Sequence, residues 1–286
     1  MARVTHSVGA DASVRPKTRR NKGEMTMKVQ EIYEYLKSLS KTETNYSDGI
    51  ICGEPDKEVK KMAVSCMPTV DVIRKAIEWG ADLLLTHEPT FYSNNDTRME
   101  KDKTTDKKIE LIENAGLSII RFHDYMHGIE PDMIGVGVLK YIGIDGEFVK
   151  GKYFGINRFN SYESITPVEL AKLVEERLEV KNVRICGARN IECTRFSVCF
   201  GAPMYVFEEA RDEDVEVVLV GEVCEWDVAE YIRDTAALGG KKAMLVIGHM
   251  GSERDGMRYL EEILKGELEE VETRYFDCGE VYTYTK

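Results

Sequence analysis

The feature that most constrains this chain is the regular alternation of short apolar runs with helical patterns. An apolar run at residues 62–66 precedes a helix that stops at Gly80, and a second run follows at 83–85. A charged helix over 107–115 and a further run at 118–122 complete this half. Strands that alternate with helices in this way pair in parallel and are covered by the helices. The chain is therefore predicted to have an α/β fold with mostly parallel strands and flanking helices.

The alternation resumes after Gly151. A helix is expected to begin at Thr166, because Pro167 and Glu169 provide its start signals. Strands are expected over residues 153–159, 183–186, 196–200, 215–220 and 243–247, and a further helix over 226–237. This half is therefore predicted to form strands and helices of the same kind as the first.

The two halves also share a spacing. Glu88 follows Cys66 by 22 residues, and Glu222 follows Cys199 by 23. In each half, the next strand ends at a histidine. The similarity fits a diverged internal duplication, and it also fits two ordinary βαβ units that share this spacing by chance.

Composition and charge exclude several classes of protein. No run approaches the roughly 18 apolar residues that a membrane span requires, and the net charge of -12 argues against a general affinity for nucleic acid. The seven cysteines form no CxxC pair, which indicates reduced and mostly buried thiols in a cytoplasmic protein. Residues 1–26 are basic and lack the apolar core of a signal peptide, so a disordered tail is expected there.

The histidines are few and lie at comparable places. Of the five in the chain, His87 closes one apolar run, His123 closes another with His127 just after it, and His249 closes a third. Ligands of open parallel sheets bind beyond the carboxyl ends of the strands. These histidines are therefore candidates for a single site.

The side chains in these clusters suit transition metals. Imidazole and carboxylate groups are ligands for Zn, Fe(II), Mn or Ni, and their number exceeds the four of a closed structural zinc site. Surplus ligands indicate two ions. Two divalent ions about 3.5 to 4 Å apart can activate a water molecule and clamp an oxyanion or a phosphate.

Each cluster also has a simpler interpretation. The pair His87-Glu88 fits a hydrogen-bonded loop, and the spacing from His123 to His127 occurs by chance in many proteins. Ser252 is expected to cap a helix that carries Glu253 in its first turn, where the carboxylate would favour the helix start.

The roles of three further residues are open to two interpretations. Glu222 or Glu225 would orient a metal-bound imidazole or water, or Glu225 would only favour the start of a helix. Tyr92 would face a substrate or pack. The coincidence of three clusters at strand ends favours a functional site.

Four segments resemble the Nif-three-like dinuclear metal centre proteins, a family also named GTP cyclohydrolase 1 type 2 homologues. They are residues 80–89, 122–127, 220–223 and 248–253, and the resemblance extends from about Val29 to the carboxyl terminus. It implies two metal ions between two α/β domains and assembly into a toroidal homohexamer. The two domains would comprise residues 27–150 plus 250–286 and residues 151–249.

Two of the matched motifs depart from the family pattern. His87 takes the place of the first histidine in His-His-Pro, and Glu88 replaces the second. His123 matches the histidine of a His-Thr-Asn-Leu-Asp stretch, whereas His127 falls on its aspartate. The two exchanges leave the number of ligands and their summed charge unaltered.

The closing motif of the family is unchanged in this chain, with His249 and Glu253 in its two positions. The resemblance therefore implies six metal-site residues: His87, Glu88, His123, His127, His249 and Glu253.

The leading hypothesis is a metal-dependent hydrolase with two divalent ions per chain and a small phosphorylated or nucleotide-like substrate. Glu88 would act as a ligand or general base, and Glu253 would be the second catalytic carboxylate. One alternative is a non-catalytic scaffold or regulatory ring that holds metal. Another is GTP ring opening, which rests on the family's name alone, because the chain has no phosphate-binding glycine motif.

Overall fold

The computed structural model describes residues 26–43, 45–98 and 102–285. The tail that was expected to be disordered, residues 1–26, lies outside this range except for Thr26. Strands and flanking helices alternate along the described chain, which confirms the predicted α/β class. None of the described helices is long and apolar enough to cross a membrane. Four of the seven cysteines are buried, as expected.

The strands, in chain order, are β1 (Met27–Lys28), β2 (Gly49–Cys52), β3 (Glu58–Val59), β4 (Lys61–Ser65), β5 (Leu83–Thr86), β6 (Ser118–Arg121), β7 (Gly146–Val149), β8 (Asn157–Ile165), β9 (Arg184–Gly187), β10 (Cys193–Cys199), β11 (Val217–Val220), β12 (Ala243–Val246) and β13 (Glu272–Tyr275). The helices are α1 (Val29–Ser38), α2 (Val70–Trp79), α3 (Lys103–Ala115), α4 (Asp124–His127), α5 (Met133–Ile142), α6 (Pro167–Arg177), α7 (Val206–Arg211), α8 (Glu230–Ala237) and α9 (His249–Glu267).

The strands form two main sheets. One has the order β13-β4-β5-β6-β2, in which β2 alone runs antiparallel to its neighbour. The other has the order β7-β8-β10-β11-β12-β9, in which β10, β11 and β12 are parallel and the outer strands antiparallel. Strands β1 and β3 form a separate antiparallel pair. Four of the five strands in the first sheet and the three central strands of the second are thus parallel, and parallel strands are typically covered on both faces.

Several elements differ from the sequence-based expectation. The strand expected over 153–159 begins only at Asn157. The helix expected over 226–237 begins as a π-helical turn, Glu225–Ala229, before α8. Helix α5 was not anticipated, because Gly135 and Gly137 lower its intrinsic helix propensity. Its burial explains its formation, since tertiary packing overrides weak propensity.

One apolar core extends across the two sheets. It contains Leu83 and Leu85 of β5, Val217 of β11 and Leu245 of β12, all fully buried, together with Leu260 of α9. Helices α5 and α9 pack against each other. The division into domains at residues 27–150 plus 250–286 and 151–249 stays a prediction. Strand β7, which this division assigns to the first domain, pairs with β8, which it assigns to the second.

The contact between α5 and α9 depends on glycine. A Cβ added to Gly256 would lie 2.7 Å from the Cα of Ile134, and one added to Gly137 would lie 2.8 Å from the Cα of Gly256. Backbone atoms at these distances have no room to move aside. The absence of side chains therefore lets the two helices approach closely, which fixes the position of α9.

We predict that Gly256→Ala destabilises the protein by about 1–3 kcal/mol, because the new methyl group overpacks the helix contact. Gly266→Ala, in the same helix but with open space around it, should instead be neutral or stabilise by up to about 1 kcal/mol. Urea unfolding of both variants measures the difference. Equal stability of the two variants would contradict the proposed packing.

Candidate metal centre

His87 and Glu88 are positioned by the loop that follows β5. The backbone N–H groups of His87 and Glu88 both donate to the Cys66 carbonyl, at 3.1 and 2.9 Å. The Thr86 hydroxyl donates to the same oxygen at 3.0 Å. Because Cys66 follows the neighbouring strand β4, the ends of two parallel strands are tied together. This places the two side chains at the carboxyl edge of the sheet.

His123 and His127 lie at the two ends of the single turn α4. The carboxylate of Asp48 accepts hydrogen bonds from the backbone N–H groups of His123, Asp124 and Tyr125, at 2.6, 3.0 and 2.8 Å. These are the donors that a helix start leaves without an internal partner. A carboxylate from a distant part of the chain thus caps the turn and fixes both imidazoles.

His249 and Glu253 lie in the first two turns of α9. The expectation that Ser252 caps this helix was wrong, because the helix begins at His249, directly after Gly248. The Ser252 hydroxyl instead donates to the His249 carbonyl at 2.8 Å and accepts from the Gly201 N–H at 3.0 Å. The helix follows the buried strand β12 after a connection of two residues.

Gly201 makes room for one of the carboxylates. It follows β10 with a φ of +67, and a Cβ at this position would lie 2.1 Å from Oε1 of Glu253. A left-handed backbone conformation of this kind favours glycine. Gly201 was not predicted to be part of the site, although a glycine directly after a buried strand is a signal for close approach of another group.

The six residues selected from the sequence come together. The ring centroids of His87, His123 and His127 are 4.5 to 5.0 Å apart. Candidate ligand atoms of His87, Glu88 and Glu253 lie within 4.8 Å of one another, as do those of the three imidazoles. These two groups share His87.

His249 joins the cluster through its Nε2 atom. This nitrogen lies 2.9 Å from Oε1 of Glu88 and 3.3 Å from Oε2 of Glu253. The contact with Glu88 is a hydrogen bond. Residues that follow β5 and β6 in one sheet therefore meet residues that follow β12 in the other.

Each imidazole is oriented through its Nδ1 atom. The partners are the Phe122 carbonyl for His87 at 3.1 Å, Asp124 for His123 at 2.9 Å, Asp132 for His127 at 2.6 Å and Glu222 for His249 at 2.8 Å. A carbonyl or a carboxylate can only accept, so Nδ1 carries the proton in each ring. This leaves Nε2 as the nitrogen on the side of the cluster, the arrangement typical of metal-ligating histidines, and in His249 this nitrogen is hydrogen-bonded to Glu88.

Two buried polar atoms in the cluster have no hydrogen-bond partner. They are Nε2 of His87 and Oε2 of Glu253, which lie 3.8 Å apart. Burying a polar atom without a partner costs about 1–3 kcal/mol. A cation bound by both atoms would remove this cost, so the side chains present fit a metal site.

Charge in the cluster is distributed unevenly. Burial, together with His123 and His127, holds the pKa of His87 well below its usual value, so this imidazole is neutral. Burial opposes protonation of His127 as well, but the Asp132 carboxylate outweighs it and raises the pKa of His127 to about 9. The neutral form of His87 is the one that binds a metal.

The ion pair between His249 and Glu88 shows the same competition. Burial disfavours both charges, but the carboxylates of Glu253 and Glu88 raise the pKa of His249 to about 11. Burial alone would raise the pKa of Glu88, but the hydrogen bond from His249 outweighs it and lowers that pKa to about 2. Without a metal, one proton on His249 therefore lies between two carboxylates.

The structure also shows the contacts of the three residues whose roles were left open. Glu222 contacts His249, as expected of a residue that orients an imidazole, whereas Glu225 pairs with Arg184 at 2.7 Å and is exposed. The ring of Tyr92 lies 4.7 Å from Nζ of Lys108. Asp132 was missed, because an aspartate directly before an apolar helix is expected to be only a cap. It does cap α5, and its other oxygen holds His127.

Two buried cationic side chains hydrogen-bond to the backbone of the loop that contains His87. Lys108 donates to the Thr90 carbonyl at 2.7 Å, and Arg121 donates to the His87 carbonyl at 3.1 Å. Arg121 also donates to the Asn94 carbonyl. These bonds fix the backbone on which His87 and Glu88 are carried.

Comparison with known proteins supports a common origin. The family model described as Duf34/NIF3 (NGG1p interacting factor 3) matches residues 27–278. A GTP cyclohydrolase 1 type 2 homolog of Clostridium acetobutylicum is 25% identical over 254 residues, which cover 85% of this chain and 92% of that protein. A protein of the same name from Pyrococcus abyssi is 24% identical over 238 residues, or 81% and 89% of the two chains.

Solved structures share the fold. The protein ybgI, described as of unknown function, superimposes with a TM-score of 0.76 at 19% identity and covers 90% of this chain and 100% of its own. Reduced HcgD from Methanocaldococcus jannaschii superimposes with a TM-score of 0.68 at 19% identity, with coverages of 87% and 98%. At such identities the likeness concerns the fold.

We predict that Glu222→Ala weakens metal binding about ten-fold, because removing the partner of a ligating imidazole typically costs 10- to 100-fold in affinity. Glu225→Ala, three residues further along the chain, should leave the affinity unchanged. Competition with a chromophoric chelator gives both dissociation constants. An unchanged affinity in Glu222→Ala would show that this contact does not orient a ligand.

Lys108 provides a pH-dependent test of the loop. Burial lowers the pKa of Lys108 from 10.5 to about 8, although Asp96 opposes the shift. Between pH 8 and 10.5 the unfolded chain therefore holds a proton that the folded chain has released, so folding becomes more favourable as the pH rises.

We predict that the stability of the wild type relative to Lys108→Met increases by about 1–3 kcal/mol from pH 8 to 10.5 and changes little below pH 8. Lys107→Met, at an exposed position of the same helix, should show no such trend. Urea unfolding at a series of pH values measures both differences. A difference that stays constant with pH would contradict the buried, partly deprotonated amine.

Proposed function

Because the chain belongs to the Duf34/NIF3 family, we propose that it is a metal-dependent hydrolase with a dinuclear centre. The observation that carries the proposal is the convergence of six candidate ligand side chains, two of which, His87 and Glu253, have a buried atom that makes no hydrogen bond. The proposed metal-site residues are His87, Glu88, His123, His127, His249 and Glu253.

Two ions fit the arrangement better than one. The candidate ligand atoms form a group of three imidazoles and a group of one imidazole with two carboxylates, and His87 belongs to both. Six nitrogen and oxygen donors exceed the four of a closed zinc site. The same donors suit Zn, Fe, Mn or Ni, so the proposal extends to any of these divalent ions.

The protein's own groups have distinct proposed roles. Bound divalent ions would supply Lewis acidity and lower the pKa of a water molecule toward neutrality. Glu88, whose pKa is about 2, is ionised at neutral pH, as a ligand must be. Glu253, whose buried Oε2 lies 3.8 Å from Nε2 of His87 and 3.3 Å from Nε2 of His249, is proposed as the proton acceptor. Asp132 and Glu222 hold two imidazoles in place.

The proposed substrate is a small phosphorylated or nucleotide-like molecule. A second candidate is GTP ring opening, which the name of the relatives suggests. We also propose, from the resemblance, a cytoplasmic homohexamer. A ring of this kind that holds metal without catalysing a reaction is the alternative in a different class.

We predict that the protein purified under mild conditions contains about two divalent ions per chain and that His249→Ala loses at least one, since the ligand nitrogen is removed. His6→Ala, which replaces the fifth histidine, outside the described residues, is the matched control and should keep the wild-type content. Elemental analysis by mass spectrometry measures the ratio. Less than one ion per wild-type chain, unaffected by His249→Ala, would overturn the proposal.

Activity separates the candidate functions. The metal-loaded wild type should hydrolyse at least one member of a panel of phosphoesters and amides, and His249→Ala should be at least 100-fold slower, because metal sites contribute several kcal/mol to the transition state. Release of formate from GTP would select ring opening. Full metal occupancy with no turnover of any panel member would favour the scaffold.

A further inference from the structure

Two cysteines lie next to each other where a pair of parallel strands ends. Cys66 directly follows β4, and Cys278 lies three residues after β13. The two strands are neighbours in the sheet, with Tyr275 opposite Val64, and the pairing continues past β13 because the Phe276 N–H donates to the Val64 carbonyl at 2.8 Å. The thiols of Cys66 and Cys278 are hydrogen-bonded to each other, and both are free. The structure thus contains a dithiol pair from distant parts of the chain.

The backbone positions of this pair fit a disulfide. Neighbouring strands lie about 4.7–4.9 Å apart, and a disulfide usually joins Cα atoms that are about 4.4–6.8 Å apart. Extending the strand register places Cys278 opposite Met67, one position beyond Cys66, and the Met67 N–H donates to the Cys278 sulfur. A bond between the two sulfur atoms therefore requires rotation of side chains and no separation of the strands.

The two thiols differ in exposure and in reactivity. Cys66 is fully buried, whereas Cys278 is only partly buried. The hydrogen bonds from the Cys66 thiol and from the Met67 N–H lower the pKa of Cys278, although burial opposes the shift. The thiolate is the nucleophilic form of a cysteine. Cys278 is therefore the thiol that an oxidant meets first, and Cys66 is the thiol that completes the bond.

The backbone of Cys66 connects the pair to the loop that contains His87 and Glu88. Its carbonyl oxygen accepts hydrogen bonds from the N–H groups of both residues, at 3.1 and 2.9 Å, and from the Thr86 hydroxyl at 3.0 Å. One residue thus provides both the sulfur that would be oxidised and the oxygen that holds three donors of the loop. A new covalent bond at that sulfur changes the position from which the loop is held.

From these observations we propose that Cys66 and Cys278 form a reversible disulfide, and that its formation loosens the loop that contains His87 and Glu88. The oxidant is a peroxide. With hydrogen peroxide, the Cys278 thiolate attacks one oxygen and releases hydroxide, which leaves a sulfenic acid. The Cys66 thiol then displaces this oxygen as water, so that two thiols and one hydrogen peroxide give one disulfide and two water molecules. A dithiol restores both thiols by exchange.

The test is oxidation of the full-length chain with hydrogen peroxide, followed by peptide mapping without reduction. We expect the peptides of Cys66 and Cys278 to be linked, and the link to disappear after treatment with dithiothreitol. Cys278→Ser should abolish it. Cys52→Ala, which replaces a buried cysteine at the opposite edge of the same sheet, is the control and should leave it unchanged. Oxidation of Cys278 to sulfinic acid without any link to Cys66 would overturn the proposal.

Hydrogen exchange measures the effect on the loop. The amides of His87 and Glu88 should exchange about ten-fold faster after oxidation of the wild type, since the hydrogen bonds to the Cys66 carbonyl are weakened. Peroxide should not change their exchange in Cys278→Ser, and the buried strand β11 of the other sheet is the internal control. A linked pair of peptides with unchanged exchange at both amides would contradict the effect on the loop.

This inference goes beyond the proposed function, because the disulfide requires neither a metal nor a substrate. A peroxide-dependent link in a chain without metal or turnover would keep the inference and remove the hydrolase. Metal binding and turnover in a chain that forms no link would do the reverse.

Discussion

The arrangement of the candidate site depends on one ion pair between residues that follow strands of the two main sheets. His249, the first residue of α9 after β12, contacts Glu88, which follows β5, at 2.9 Å; the Glu88 side chain is buried and that of His249 is 25% exposed. A buried carboxylate or imidazolium without a partner costs several kcal/mol. The carboxyl ends of strands from both sheets are therefore held against each other by groups that also constitute the site.

The packing of helices α5 and α9 fixes the position of this ion pair. Helix α9 begins at His249, and its glycine contact with α5 sets the helix position to within the size of a methyl group. Because Asp132 caps α5, the same contact also places the residue that orients His127. Core packing and site geometry are thus properties of the same two helices, and strain in one is transmitted to the other.

The sequence was most informative where burial makes a periodic pattern. Strands β4, β5, β6, β11 and β12 are continuous apolar runs and were predicted within a few residues. The histidines at their ends were selected for the same reason. Helix α5 and the Asp48 cap of α4 were not predicted, because each depends on a partner distant in the chain. A local pattern cannot reveal a contact of that kind.

The two departures from the resembling family's motifs acquire a physical account in these partners. Where the family motif has an aspartate, His127 is paired with Asp132, which restores a carboxylate next to the imidazole. Where the motif has a second histidine, Glu88 is paired with His249. Each exchange is therefore neutralised within the cluster itself. Binding of a divalent cation depends on the summed charge of a site as well as on its donors. In the proposed metal site, such compensation would allow individual ligands to change without loss of the site.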